Sequence, residues 1–319
     1  MDGHTSGMTM MNDYVTVFGG GGFVGRYVVE ALLRAGTRVR VAERRPKNAW
    51  HLKAQANLGQ IQFLAADVTQ PESVARAVAG ADAVINLVGA FGKQMVAVQQ
   101  DGAAIVAEAA RDAGARALVH VSAIGADAHS PAAYGRSKAA GEAAVRAAFP
   151  AATILRPSII FGREDQFVNR FAGLIQMLPV VPVMGGKTRF QPVFVGDVAR
   201  AVAVALKDAG AHGGQTYELG GPQILSMRAL NQWIAEACGR DPLFVDVPDA
   251  IAATMATATG WLPGAPITRD QWLMLQSDNV VADGASGLEA LGIVPASLAA
   301  VAERWLVLYR RHGRFGSTT

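Results

Sequence analysis

Tyr134 and Lys138 stand four positions apart in the run Tyr134-Gly135-Arg136-Ser137-Lys138, so a helix there puts both side chains on one face. An ammonium beside a phenol favours the phenolate, which predicts a Tyr134 pKa drawn down toward neutrality. Such a tyrosine exchanges a proton with a substrate oxygen while a hydride is transferred. The group that would carry the hydride is indicated by a second run, Phe18-Gly19-Gly20-Gly21-Gly22-Phe23-Val24-Gly25. Glycines let the backbone turn sharply and approach a diphosphate, whose charge meets N–H groups and the positive end of a helix dipole. The glycines fit two registers, GxxGxxG through Gly19, Gly22 and Gly25, and GxGxxG through Gly20, Gly22 and Gly25. Phe23 and Val24 open the helix that follows.

The next strand, Thr37 to Val41, ends in Ala42-Glu43-Arg44-Arg45, where a dinucleotide-binding fold reads the adenosine ribose. Glu43 suits a ribose 2′-hydroxyl and repels a 2′-phosphate, whereas Arg44 and Arg45 either pair a 2′-phosphate and stack on adenine or stand solvated at the strand end. The two adjacent arginines favour NADP(H) over NAD(H). Asp67, followed by Val68, either accepts from the adenine amino group or starts the turn before Pro71. Leu87, Val88 and Gly89 close a further strand, with Gly89 allowing close approach of a ligand. Pro157 and Ile159 follow the sixth strand. Tyr134 and Lys138 complete this candidate cofactor set.

Positioning these residues requires a regular scaffold. Strand and helix patterns alternate: Tyr14 to Phe18, a helix up to Gly36, Ile61 to Ala65, Pro71 to Ala79, Ala83 to Val88, Met95 to Ala113, Ala117 to Val121, Ala132 to Phe149 and Thr153 to Leu155. That rhythm predicts an α/β Rossmann fold, a doubly wound parallel sheet, and the length leaves room for a smaller lobe beside it or for a second domain. A chain of 319 residues with 51% hydrophobic residues supports a substantial core. The net charge of +3 is spread without a basic, aromatic-laced groove, which argues against nucleic acid. One cysteine, Cys238, forms no disulfide within the chain and reads as a buried thiol. The six histidines are dispersed, so no metal site is expected, and His120 reads as packed within its strand. Phe171 to Met184 is broken by Pro179 and Pro182, and no transmembrane segment is expected.

The glycine run, the YGRSKAAGE segment and their order resemble an extended or atypical short-chain dehydrogenase/reductase. That resemblance implies a serine after the fifth strand that polarises the substrate oxygen. Aligned on Leu118 to Ser122, the family's serine slot falls at Ala123, with Ser122 one place early. An offset of one residue in an extended segment turns the side chain to the other face, and a shifted register restores Ser122. The implied catalytic set is Tyr134, Lys138 and Ser122.

A narrower resemblance runs through Arg156-Pro157-Ser158-Ile159-Ile160-Phe161-Gly162 and on to Phe171, Ile85 to Gly89, Gln191-Pro192-Val193 with Val195, Asp197 and Val198, and Ile267-Thr268-Arg269-Asp270-Gln271. These segments are similar to the complex I accessory family, alpha subcomplex subunit 9. The resemblance implies firmly held NADP(H), with Arg44 toward the 2′-phosphate, and docking near the quinone end of respiratory complex I. Its partners would be complex I subunits or quinone. The resemblance to extended short-chain dehydrogenase/reductases implies that a strand before Gly220-Gly221 returns to the nucleotide sheet and that the remaining helices make a smaller, mostly helical C-terminal lobe. The expected organisation is a disordered leader over 1–12, a nucleotide domain over 13–162 completed by 190–221, and a substrate or partner lobe over 163–189 and 222–319. Phe167, Phe171, Met177, Met184, Met255, Trp261, Trp272 and Met274 form its core or line an apolar pocket, and Arg163, Lys187 and Arg189 face an anionic headgroup or water.

The amino terminus has no Arg-rich targeting pattern, which points to a bacterial cytoplasmic protein, peripheral on the inner face of the membrane. The basic tail Arg310, Arg311, His312 and Arg314 would rest on an anionic surface or end a solvated helix. Three functions follow: an NADP(H)-holding accessory or assembly factor, an active NAD(P)-dependent reductase or epimerase/dehydratase, and a dinucleotide-sensing regulator.

Overall fold

The computed structural model describes residues 13–260, 267–311 and 313. The expected leader, Trp261, His312 and Arg314 lie outside these residues. The first strand, β1 (Tyr14–Phe18), is β-branched, aromatic and almost wholly buried, which suits a central strand covered on both faces. Helix α1 (Phe23–Arg34) follows and buries Val28, Val29, Leu32 and Leu33 at helical spacing. Next come β2 (Arg38–Glu43), β3 (Ile61–Ala65), α2 (Pro71–Val78), β4 (Ala83–Asn86), α3 (Gly102–Asp112), β5 (Ala117–Val121), α4 (Ala133–Ala148) and β6 (Thr153–Pro157). Beyond them lie β7 (Ile160–Phe161), α5 (Val168–Met177), β8 (Val180–Val183), β9 (Arg189–Phe190), β10 (Val193–Phe194), α6 (Val195–Lys207), α7 (Ala209–His212) and β11 (Thr216–Leu219). The chain closes with β12 (Leu225–Ser226), α8 (Met227–Ala237), β13 (Leu243–Asp246), α9 (Asp249–Thr259), α10 (Arg269–Met274) and α11 (Leu298–Leu306).

Seven strands form one sheet in the order β11-β6-β5-β4-β1-β2-β3. The pairs β1/β2, β2/β3, β1/β4 and β4/β5 are parallel. The bonds Ile154 N–H to Gln215 carbonyl and Ser158 N–H to Leu219 carbonyl advance in step, so β11 is parallel to β6. This is the doubly wound fold, with its reversal of strand order between β1 and β4 and the returning strand at one edge.

Two local departures from the sequence expectation have physical causes. The helix expected over Met95 to Ala113 opens into a wide π turn at Ala97–Asp101 before α3 begins. That turn pushes the Gln99 carbonyl so close to Gly141 that a Cβ there would lie 2.1 Å from it. The stretch that Pro179 and Pro182 interrupt is partly a strand, because Pro182 in β8 sits in a two-stranded pair with β13 and needs no second partner.

Packing divides the chain into two compact units. The first comprises described residues up to Val121, Gly141–Ile154 and Ala199–Gln215; one of its cores gathers Phe18, Val74, Val84, Val106, Leu118 and Val145. The second comprises Ser122–Ala140, Leu155–Val198 and the chain from Thr216 onward, with Phe161, Val168, Leu230, Ile234, Leu298 and Trp305 in its core.

Candidate functional site

In the first unit, the chain leaves β1 through a turn that only glycines permit. Gly19 has φ of +80°, a region strained for other residues, and a Cβ at Gly25 would lie 2.1 Å from the Gly19 carbonyl oxygen. Gly19 donates to Ala42 at 3.2 Å and accepts from Gly22 at 3.1 Å. A Cβ on Gly20 would press on side-chain methyls of Val41, Val29 and Val17, at 3.1, 3.2 and 3.4 Å. Gly21, whose Cβ would lie 2.8 Å from Ala49, belongs to neither register; of the positions that do, Gly19 and Gly25 are the demanding ones, which favours the register through Gly19, Gly22 and Gly25. Gly22 caps α1 with extended backbone and without a side-chain bond. The N–H groups of Phe23, Val24 and Gly25 have no carbonyl one turn earlier in the helix, so this end offers donors and a positive dipole to an anion. Space for a close approach and a backbone-only donor set fit a diphosphate.

The residues around this turn take distinct parts. Glu43 accepts from Gly21 N–H at 2.7 Å through one carboxylate oxygen, while Arg44 and Arg45 are exposed. Leu87 and Val88 stand at the switch point, both about 3.4 Å from the place of a Gly19 Cβ. Gly89 is exposed beyond them. Asp67 builds its own turn, accepting at one oxygen from the Thr69 N–H at 2.9 Å and the Thr69 hydroxyl at 2.8 Å. The Thr69 backbone bond holds its pKa below the ordinary value, and Arg44 acts in the same direction. Of the two parts expected for Asp67, starting the turn is visible in these bonds. Val68 is a core residue, so tightly packed that a Cβ on Gly102 would lie 2.8 Å from it.

The second unit holds the acid–base residues. Tyr134 is half-buried, and Lys138, only 5% exposed, places its Nζ 5.9 Å from the Tyr134 ring centre. The expected depression of the Tyr134 pKa is corrected here: burial pushes it up to about 12. At that distance the ammonium does not offset the loss of water around the phenolate. Ser122 donates its N–H to Leu155 at 2.7 Å, so the chain still pairs with β6 after β5 ends. Its side chain is 4% exposed and its hydroxyl has no hydrogen-bond partner among the described residues. Ala123 is half-buried. Pro157 accepts from Ile124 N–H at 3.0 Å, and Ile159 packs against Val183, Phe190 and Met227.

Sequence reasoning missed the residues that hold this second set in place. Asp270 accepts from the N–H groups of Ala133 at 2.6 Å and Tyr134 at 3.1 Å, capping α4 from α10. Asn279 donates to the Ile124 carbonyl at 3.2 Å and accepts from the Ser158 hydroxyl at 2.7 Å, tying together the exits of β5 and β6. Gln191 accepts from Val281 N–H and donates to Gly221. Asp165, 2% exposed, accepts from Gly162, Phe167 and Val168 and starts α5; burial raises its pKa while those N–H groups oppose the rise. The segments that carried the narrower resemblance thus supply internal anchors. The signal was present in the sequence as short polar motifs, but the partners of Asp270, Asn279 and Gln191 lie far along the chain, whereas those of Asp165 are local.

Other candidates resolve simply. Cys238 is buried and its thiol is pushed up to about 11 by burial, which makes it unreactive. His120 is 2% exposed within β5. Arg189 pairs with Asp278 at 2.7 Å, while Arg163 and Lys187 are exposed. Phe167, Phe171 and Trp272 pack in core clusters, whereas Met177 and Met274 are exposed. Among the described residues no group of histidine, cysteine and carboxylates could hold a metal, and no helix is long and apolar enough to cross a membrane.

The profile described as "NAD dependent epimerase/dehydratase family" matches residues 15–220. The chain belongs to the NAD dependent epimerase/dehydratase family. It is 36% identical to the mitochondrial NADH dehydrogenase [ubiquinone] 1 alpha subcomplex subunit 9 of Arabidopsis thaliana, with 98% of this chain and 83% of that protein covered. The Rattus norvegicus protein of the same description is 37% identical, over 89% of this chain and 77% of the relative. Among solved structures, Citrobacter sp. triphenylmethane reductase complexed with NADP(H) has a similar fold, with a TM-score of 0.73 at 22% identity, covering 91% of this chain and 99% of that one. This member of the epimerase/dehydratase family therefore combines an NAD(P)-binding domain with near-full-length similarity to complex I subunit 9 proteins.

Proposed function

We propose that this family member holds NADP(H) as a retained ligand and serves as an accessory or assembly factor for a respiratory NADH:quinone oxidoreductase. The observation that carries the reading is similarity to alpha subcomplex subunit 9 proteins over nearly the whole chain. The glycine turn accords with it, since α1 offers backbone donors to the diphosphate without any side chain. Exposed Arg44 and Arg45 provide guanidinium groups for a 2′-phosphate, and Glu43 is engaged by Gly21 through one oxygen. A nucleotide bound only by the folded state stabilises the chain by mass action. Exposed Met177, Leu243 and Ile251 in the second unit offer apolar contacts to complex I subunits or quinone. The reading implies a peripheral position on the inner face of a bacterial cytoplasmic membrane.

Native purification followed by nucleotide release and identification tests this directly. The expected result is near-stoichiometric NADP(H) that exchanges slowly and keeps its redox state in the presence of quinones. Retention of NAD(H) alone would overturn the cofactor preference, and rapid turnover would overturn the accessory role.

An active NAD(P)-dependent reductase or epimerase is the second reading, favoured by the buried, unpaired Ser122 hydroxyl and by buried Lys138. In it Tyr134 moves the proton, Lys138 orients the ribose and tunes Tyr134, and Ser122 polarises the substrate oxygen. Tyr134→Phe would then lower the rate on the order of 10²-fold or more with nucleotide retained. An unchanged rate would remove Tyr134 from the chemistry.

A further inference from the structure

We infer that Asp270 is a positioning residue for Tyr134, so that the α9–α10 pair governs the geometry of the acid–base helix. A cap for α4 arrives from 136 positions further along the chain. Upstream, Ser130 has its hydroxyl turned to Ala132 N–H, and Pro131 has no N–H to offer. The first two residues of α4, Ala133 and Tyr134, give their N–H groups to the two oxygens of the Asp270 carboxylate. A carboxylate there also meets the positive end of the α4 dipole. Tyr134 is thus fixed at its N–H by Asp270 and at its carbonyl by the Ser137 hydroxyl, at 2.9 Å.

Asp270 is itself held. Thr268 and Gln271 form a reciprocal capping box around the start of α10, and Trp272 is buried against Ala252, Ala256 and Ile267. The Thr188 hydroxyl binds the Leu275 carbonyl at the other end of α10. Little freedom remains at Tyr134 either, because a Cβ on the adjoining Gly135 would lie 2.6 Å from the Ser130 hydroxyl and 2.7 Å from the Gly125 carbonyl. Any ligand or partner that shifts α10 therefore shifts Tyr134.

The relevance of this clamp to nucleotide binding rests on the reading that Tyr134 contacts the cofactor; the clamp itself does not. Asp270→Ala and the isosteric Asp270→Asn, each made with and without Tyr134→Phe, separate the two. Backbone hydrogen exchange at Ala133 and Tyr134 should speed up at least tenfold in Asp270→Ala, with α1 unchanged. Asp270→Asn should fall between, since one amide oxygen accepts where two carboxylate oxygens did. Alkaline titration, referenced to Tyr134→Phe, should move the Tyr134 transition from about 12 toward the ordinary tyrosine value as its turn opens to water. NADPH affinity should fall about tenfold, and Tyr134→Phe should add nothing further in the Asp270→Ala background. Unchanged exchange, or an unmoved Tyr134 transition in both variants, overturns the clamp. Faster exchange with additive effects on affinity reduces Asp270 to a simple cap and also overturns the proposal. Absence of NADPH binding in the parent chain overturns the nucleotide reading, while exchange and titration still decide the clamp.

Discussion

The glycine turn and the Tyr134 helix solve the same problem, placing a few polar atoms for chemistry, by opposite means. The turn after β1 uses backbone alone: Gly19 at φ +80° and a Gly25 with no room for a Cβ. The start of α4 uses side chains from distant segments, with Asp270 binding its amides and Asn279 tying the exits of β5 and β6. A backbone device fails abruptly when any atom is added. A side-chain device can be weakened by degrees, which suits an element that responds to a partner.

The sharpest way to break this contrast is Gly25→Ala. Its Cβ would overlap the Gly19 carbonyl, so the turn must rearrange at a cost of about 3 kcal/mol, and NADPH binding should vanish from a calorimetric titration. A pH series comes next. Because Tyr134 is raised to about 12, its contribution to stability is complete below the unfolded value near 10 and is lost as pH climbs through 12. Thermal melts between these limits should show the parent losing on the order of 2–3 kcal/mol relative to Tyr134→Phe, while the other raised groups cancel in the difference. Gly19→Ala should cost roughly 1–2 kcal/mol from its left-handed backbone, read by chemical denaturation. Smallest is Arg44→Ala, for which paired NADPH and NADH titrations should show about a tenfold loss of NADPH preference.

The same contrast explains what the sequence disclosed. The strand, glycine turn and helix occupy adjacent positions, and their apolar spacing follows local rules, so the doubly wound sheet was legible, while its strand order came only from the structure. The YxxxK pair was legible for the same reason. The pKa of Tyr134 was not, because spacing reports the neighbouring Lys138 but says nothing of how much water the fold removes. Asp270 and Asn279 were invisible as anchors since their partners are far away in sequence. The π turn at Ala97–Asp101 likewise answers to Gly141, not to its own residues. Ser122 was picked out as a candidate hydroxyl, yet its buried, unpaired state emerges only from the pairing of its backbone with β6.

Titration of the nucleotide-stripped protein with NADPH, beside its Gly25→Ala variant, tests the central claim most directly. The account predicts saturable binding well below millimolar concentration in the parent and none in the variant. No binding by the parent at millimolar NADPH or NADH, or equal binding by both proteins, would contradict it.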